Sequence, residues 1–326
     1  MKIKKFFALL LSLCMVMGLW ACAENAPATE PTEISTESSI TPLVYEVTDP
    51  EGNTIWIMGS IHVGYDYFYP LPDYAYQVYN EADTLAVEFD VVAFESDLSA
   101  QTEALTPMIY TDGSTISDYI SQDLYDRAVQ VLTDAGYYME ALDYYNVAMW
   151  SMLLDSLLIE ELGVATGLGI DLHFLNKAHD DGKKIEDIES AQFQYGMMAD
   201  YSMPLQLMLL ESSLESWEDL ELYRENLEEL AACWASGDEA ELVSLLAAES
   251  DELTEDERAL YEEYNQAMIT DRNIGMADFA EAALADGDQT LIVVGAAHVV
   301  GEGGMIDLLT RRGYTVNCLG GTPAAN

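Results

Sequence analysis

Residues 54–64 read TIWIMGSIHVG, and residues 291–301 read LIVVGAAHVVG. In each stretch an apolar, β-rich run leads to a glycine, then to a histidine three residues later, and then to a second glycine. Glycine permits positive φ and close backbone approach, so each stretch predicts a strand that delivers a histidine at its C-terminal edge through a tight turn. Open α/β sheets bind ligands at that edge. Two of the four histidines, His62 and His298, share this pattern, which favours a functional pair over two structural histidines.

The rest of the chain predicts an α/β (α+β) fold with a mixed central sheet, whose strands come from both chain ends and are flanked by helices. One domain is expected over residues 41–320, with a large helical insertion at about 114–165 and a helical segment at about 190–285. The predicted strands are 43–47, 54–58, 84–89, 184–188, 289–294 and 314–319, and further helices are predicted at 72–82, 170–178 and 304–311.

The N-terminal residues predict export. Three lysines precede the apolar run 6–20, so residues 1–21 are expected to be a signal peptide. The run ends in LWAC, which resembles a bacterial lipobox and predicts lipidation of Cys22. Residues 22–40 are rich in Ala, Pro, Thr, Glu and Ser and predict a disordered tether to the outer face of the cell membrane. The alternative is an ordinary signal peptide without a lipid.

The composition is strongly acidic. Against 12 lysines and arginines stand 59 aspartates and glutamates, which gives a formal net charge of −47. This charge repels phosphate backbones and anionic lipids, so no nucleic-acid partner is expected and membrane attachment must come from the lipid. The acidity is equally explained as a solubility trait. Two cysteines remain in the predicted domain, Cys233 and Cys318, and the sequence leaves their pairing open.

Two further charged residues are candidates for the site. Glu88 lies at the end of the predicted strand 84–89, where an apolar run becomes acidic, although an acid there is often only solvated. Arg272 is one of few basic residues, and its planar fork could orient a carboxylate or a substrate anion, or form a structural salt bridge.

Several polar residues have ordinary structural interpretations. Asp171 follows the glycine-rich stretch 167–169 and is predicted to cap a helix. His173 and His179 are six residues apart on that helix and do not share a face, so they are expected at the surface. The chain has no HExxH, GxSxG, P-loop or dinucleotide motif, which excludes a zincin, an α/β-hydrolase nucleophile and nucleotide binding at such motifs.

Taken together, the motifs resemble the TraB/GumN family, whose animal relatives are the TIKI proteins, and the resemblance covers about 42–319. The wider superfamily includes erythromycin esterase-like and ChaN-like proteins. The matching features are the GxxH at 59–62, the Glu88 strand, Gly169-Ile170-Asp171, Glu189, Gln192, Asp271-Arg272-Asn273, the terminal GAAHVxG, Leu308, and Gly313-Tyr314-x-Val316.

The resemblance implies that His62, Glu88 and His298 occupy the family's active-site positions and that Arg272 matches its arginine. TIKI proteins are described as metal-dependent proteases, which implies a peptide or small-molecule substrate. We therefore expect a hydrolase in which the two histidines and Glu88 bind a divalent metal, Mn, Co or Zn, or in which Glu88 orients a histidine that activates water. A metal-free esterase-like mechanism is a variant. The alternative is a non-catalytic, lipid-anchored binding protein that sequesters a peptide or small molecule.

Overall fold

The structure is a computed structural model that describes residues 38–164, 166–247 and 253–324. The predicted signal peptide, Cys22 and nearly all of the predicted tether lie outside these residues. Within the described ranges, no helix is both long and apolar enough to cross a membrane.

Six strands form one mixed sheet in the order β4-β3-β5-β2-β1-β6. The pairs β2–β5, β5–β3 and β3–β4 are parallel, whereas β1 pairs antiparallel with both β2 and β6. The predicted mixed sheet with strands from both chain ends is therefore confirmed. The strands are β1 (Val44–Thr48), β2 (Thr54–Ser60), β3 (Thr84–Val87), β4 (Lys184–Asp187), β5 (Thr290–Gly295) and β6 (Thr315–Gly320).

Strand β5 lies between β3 and β2, so it joins the two halves of the sheet. All six of its residues are buried, as expected for a parallel strand covered on both faces. By contrast, the residues of β6 alternate between exposed and half-buried, which suits an edge strand. The position of β5 places the C-terminal ends of β3, β5 and β2 side by side.

Helices flank the sheet, and most of them match the predicted helical stretches. Two helices within 91–105 were not predicted, and the strand before them ends at Val87 rather than at Phe89. The helices are α1 (Asp73–Glu81), α2 (Val91–Ser96), α3 (Leu98–Leu105), α4 (Gln122–Asp134), α5 (Val147–Glu161), α6 (Ile170–Asp181), α7 (Ala191–Ala199), α8 (Met203–Glu218), α9 (Leu220–Ser236), α10 (Glu239–Leu246), α11 (Glu255–Asn265), α12 (Asp271–Asp286), α13 (Ala296–Val299) and α14 (Met305–Arg311).

Helix α5 connects two apolar cores. Met149 and Met152 pack in the large core around the sheet, while Trp150 and Leu154 pack in a second core with α4 and α8. Twelve of its fifteen residues are therefore buried, and one of them is the acidic Asp155. A helix that is apolar on nearly all sides is expected in such an interior position.

Candidate functional site

The two GxxH segments meet at the C-terminal edge of the sheet. Strands β2 and β5 are parallel neighbours, and Ser60 is the register partner of Gly295. A Cβ atom built on Gly295 would lie 3.5 Å from His62 Nε2, from Glu88 Oε1 and from His298 Cδ2. The structure thus brings His62, Glu88 and His298 around one point. We call the region bounded by Gly295 and these three side chains the Gly295 hollow.

Two glycines bring helix α6 against the first GxxH segment. A Cβ on Gly169 would lie 2.5 Å from the carbonyl oxygen of His62, and a Cβ on Gly64 would lie 1.9 Å from that of Leu168. Only glycine allows the two backbones to approach this closely. The amide of Ile170 also donates to the carbonyl of Ile61 at 3.0 Å. The first turn of α6 is thereby held beside the His62 imidazole.

Asp171, in this first turn, faces His62 instead of capping the helix. The prediction of an N-cap was wrong: the capping position is Gly169, because the close backbone approach begins the helix two residues earlier. Asp171 Oδ1 lies 3.2 Å from His62 Nδ1, within ion-pair distance but without the alignment of a good hydrogen bond. Burial lowers the pKa of His62, but the charge of Asp171 outweighs this and raises the pKa above its usual value.

His298 has a different partner. It lies on the one-turn helix α13, so the predicted tight turn is helical here, and its Nδ1 is 2.7 Å from Asn273 Oδ1. Because Asn273 Nδ2 donates to the carbonyl of Gly303 at 2.9 Å, the Oδ1 atom must accept, and we assign the proton of His298 to Nδ1. Burial, followed by the charge of Arg272, lowers the pKa of His298 to about 3. His298 is therefore neutral, and its buried Nε2 has no protein partner.

Glu88 is buried and ionised. Its Oε1 accepts the amide of Gly295 at 3.0 Å, and its Oε2 accepts Gln194 Nε2 at 3.0 Å and Arg272 Nη2 at 2.6 Å. Burial alone would raise the pKa of Glu88, but the charge of Arg272 holds this pKa well below its usual range. The carboxylate is a fixed negative charge with most of its hydrogen-bonding capacity already used.

Arg272 binds two carboxylates at once. Besides Glu88, its Nε and Nη2 donate to Glu189 Oε1 and Oε2 at 2.9 and 2.8 Å. The side chain thus orients an internal carboxylate and also forms a buried salt bridge, which are two of the roles that the sequence allowed for Arg272. Whether it also contacts a substrate stays a prediction.

Gln192 is one of the residues that carry the family resemblance, but the glutamine that reaches the site is Gln194. Gln192 is exposed, whereas Gln194 is buried and donates to both Glu88 and Glu189. The buried face of α7 consists of residues 191, 194, 195 and 198, a helical spacing that could have identified Gln194. Asn273 belongs to the motif at 271–273, but the motif predicts no role for it. Its contact with His298 depends on tertiary packing.

The other two histidines stay outside the site. His179 is exposed and pairs with Asp90 at 2.9 Å, in agreement with the expected surface position. His173 is half-buried rather than exposed, because its ring packs between those of Tyr69 and Tyr76. Cys233 and Cys318 are both free thiols.

The predicted metal ligands fit an ion only in part. His298 Nδ1 is hydrogen-bonded to Asn273 and His62 Nδ1 faces Asp171, and such contacts at Nδ1 are the usual way to direct Nε2 toward a metal. Glu88, however, is already held by Arg272, Gln194 and the Gly295 amide. Across the described part of the chain, no group of three or more His, Cys, Asp and Glu side chains is arranged to hold a metal. As the side chains stand, the complete three-ligand set does not fit, and the metal role of His62, Glu88 and His298 stays a prediction.

Comparison with known proteins gives one family and two relatives. The family model described as the TraB/PrgY/gumN family matches residues 43–317. The chain is 23% identical over 267 residues to an uncharacterised protein, YbaP, of Escherichia coli strain K12, which covers 81% of this chain and 90% of the relative. YbaP of Shigella flexneri matches with the same identity and coverage. No solved structure matches the chain significantly.

Proposed function

The chain belongs to the TraB/PrgY/gumN family, and from the geometry of its site we propose that it is a hydrolase that activates water in the Gly295 hollow. The observation that carries the proposal is the convergence of His62 Nε2, Glu88 Oε1 and the His298 ring at 3.5 Å from one point. A structural role would not need three ionisable side chains that converge on one glycine.

His62 is the proposed general base. Its Nδ1 faces Asp171, which favours the tautomer with the proton on Nδ1 and leaves the lone pair of Nε2 facing the hollow. In the proposed step, Nε2 takes a proton from water while the water oxygen attacks a carbonyl carbon. The proton then passes from His62 to the leaving group as the acyl bond breaks. The negative charge of Asp171 stabilises the imidazolium between these two events.

His298 and Glu88 are proposed to orient the attacking water. The neutral His298 offers the Nε2 lone pair, and the partly free Glu88 Oε1 offers a second acceptor. Water has two protons, so it donates one to His62 Nε2 and the other to His298 Nε2 or Glu88 Oε1. Arg272 keeps Glu88 charged and immobile through the ion pair at 2.6 Å. We therefore propose Arg272 as a residue that positions Glu88 rather than one that touches the substrate.

The resemblance to the TIKI proteins makes peptide bonds the first substrate class to test, followed by esters. We also retain as proposals the export of the chain, its lipid anchor at Cys22 and its location at the outer face of the cell membrane. Labelling of the full chain with radioactive palmitate, compared with a Cys22→Ser variant, tests the anchor. Equal labelling of the two proteins would contradict it.

The decisive variant is Gly295→Ala, which places a methyl group in the hollow. Its Cβ would make ordinary van der Waals contacts with the three side chains, and Gly295 has a φ of −49°, which alanine adopts readily. We expect a folded protein that has lost at least about 100-fold of its rate on a panel of quenched fluorescent peptides and nitrophenyl esters. Gly196→Ala is the matched control, because nothing lies within 4 Å of its Cβ.

The same assay separates the remaining alternatives. Activity that survives exhaustive chelation supports the histidine mechanism, while activity restored only by Mn²⁺, Co²⁺ or Zn²⁺ supports the predicted metal. A panel that wild type does not hydrolyse, together with peptide binding that Gly295→Ala leaves unchanged, would favour the non-catalytic binding protein and contradict the hydrolase.

A further inference from the structure

Ser60 is the last residue of β2 and lies at the level of the Gly295 hollow. It is the register partner of Gly295, and partner residues on neighbouring strands are about 4.8 Å apart. In a parallel pair, such residues direct their side chains to the same face of the sheet. The Ser60 side chain is only 3% exposed.

The hydroxyl of Ser60 has no hydrogen-bond partner in the protein. Four serines are buried among the residues that the structure describes, and the other three donate to backbone carbonyls one helical turn earlier. They are Ser151 to Val147 at 3.2 Å, Ser213 to Leu209 at 3.0 Å and Ser216 to Ser212 at 2.9 Å. A buried polar group without a partner is costly, so its retention beside a candidate site points to a ligand that completes it.

The hollow has several acceptors and few available donors. His62 Nε2, His298 Nε2 and Glu88 Oε1 all accept. The nearby donors are committed, because the Gly295 amide binds Glu88 and Arg272 binds Glu88 and Glu189. The carbonyl oxygen of a substrate beside the attacking water needs a donor, and the Ser60 hydroxyl is one that no protein acceptor occupies.

We infer that Ser60 is a further catalytic residue, whose hydroxyl donates a hydrogen bond to the carbonyl oxygen of an acyl substrate as water attacks the carbonyl carbon. This inference rests on the proposed hydrolase function. As the water oxygen forms its bond to carbon, the electron pair of the C=O π bond moves to oxygen, and the Ser60 hydroxyl stabilises the resulting oxyanion without giving up its proton. The π bond re-forms when the leaving group departs with the proton carried by His62.

The test compares Ser60→Ala, Ser60→Thr and the matched control Ser151→Ala, which removes a buried hydroxyl that has a partner. Loss of one oxyanion donor commonly lowers kcat by about 100- to 1,000-fold, so Ser60→Ala should do this with little change in KM. Because it removes an unsatisfied hydroxyl, Ser60→Ala should also keep or raise Tm, by about 2 °C. Ser60→Thr retains the hydroxyl and should recover most of the rate, while Ser151→Ala should lower Tm and leave kcat unchanged.

Three results would overturn the inference, and they are distinguishable. If Ser60→Ala lowers Tm as Ser151→Ala does, its hydroxyl is structural. If Ser60→Ala keeps wild-type kcat while Gly295→Ala is inactive, the hydrolase stands and the role of Ser60 fails. If wild type hydrolyses nothing in the panel, the proposed function fails, and the role of Ser60 fails with it.

Discussion

Two carboxylates in different regions of the molecule are buried to the same extent, with Glu88 and Asp155 each 3% exposed. At the sheet edge, burial of Glu88 is overcome by Arg272, and the pKa of Glu88 falls well below its usual range. In α5, burial raises the pKa of Asp155 to about 7, and only the nearby Ser213 hydroxyl opposes this. Asp155 Oδ2 has no hydrogen-bond partner. Burial alone therefore does not set the charge of a carboxylate in this protein, and the partner that another helix supplies decides it.

The largest effect should come from making Glu88 resemble Asp155. Arg272→Met removes the guanidinium and leaves a buried, unpaired carboxylate, which typically costs about 3–5 kcal/mol. Urea denaturation of the variant should show a loss of this size. Arg127→Met is the control, because its pair with Glu218 is exposed and should contribute at most about 1 kcal/mol. Equal losses of unfolding free energy in the two variants would mean that the buried ion pair stabilises the fold no more than the exposed pair does.

The next effect should appear when Asp155 is made permanently neutral. The folded pKa of Asp155 is above the unfolded value of about 4, so its stabilising contribution is complete at low pH and is lost as pH rises through about 7. The shift corresponds to about 2–4 kcal/mol. Asp155→Asn should therefore gain stability over wild type at pH 8 and little at pH 4, as measured by urea denaturation.

Asp181→Asn provides a control for the pH measurement, since Asp181 is an exposed carboxylate that pairs with Lys177. Its stability difference from wild type should change little between the two pH values. A difference for Asp155→Asn that does not depend on pH would show that Asp155 is charged in the fold despite its burial.

A third carboxylate, Asp171, has a histidine as its partner, so its removal should affect the reaction more than the fold. Asp171→Asn keeps an oxygen beside His62 Nδ1 but loses the charge that stabilises the imidazolium in the proposed mechanism. We expect kcat to fall about 100-fold, equivalent to about 2.7 kcal/mol. Asp181→Asn on the same helix should keep wild-type kcat. An unchanged kcat in Asp171→Asn would remove His62 from the role of general base.

The smallest effect concerns the neutral donor to Glu88. Gln194→Leu removes the amide that binds Glu88 and Glu189 and should cost about 1–2 kcal/mol, because hydrogen bonds to charged groups contribute about that much. Gln192→Leu, an exposed site on the same helix, should change stability by less than about 0.5 kcal/mol. Thermal unfolding of both variants checks the difference. A larger loss in Gln192→Leu would contradict the burial of α7.

The strands and the approximate position of the site could be predicted from the sequence. Apolar β-rich runs bounded by turn residues defined the strands, and the repeated glycine-histidine spacing indicated that residues 62 and 298 belong together. Their meeting follows from the parallel pairing of β2 with β5, because the ends of adjacent parallel strands share an edge. Strand boundaries differed by at most two residues, since the ends depend on local capping.

The partners of the site residues could not be predicted in this way. The pairing of Asp171 with His62 depends on two glycine contacts between distant segments, and that of Asn273 with His298 depends on how α12 packs against α13. The raised pKa of Asp155 could not be predicted either, because the sequence of an apolar helix does not show which residues surround an aspartate on it. Tertiary packing determines these contacts, and local spacing does not encode it.

The central position of β5 has a consequence for synthesis. Until residue 290 has been synthesised, β1 can pair only with β2 and β3 only with β4, and no strand connects the two pairs. The chain cannot assemble the Gly295 hollow during this time, so a product truncated before residue 290 would lack the site on which the proposed activity depends. The same product leaves one side of β2 and of β3 unpaired and therefore prone to intermolecular association. The fold thus makes assembly of the site depend on the late-synthesised strand β5.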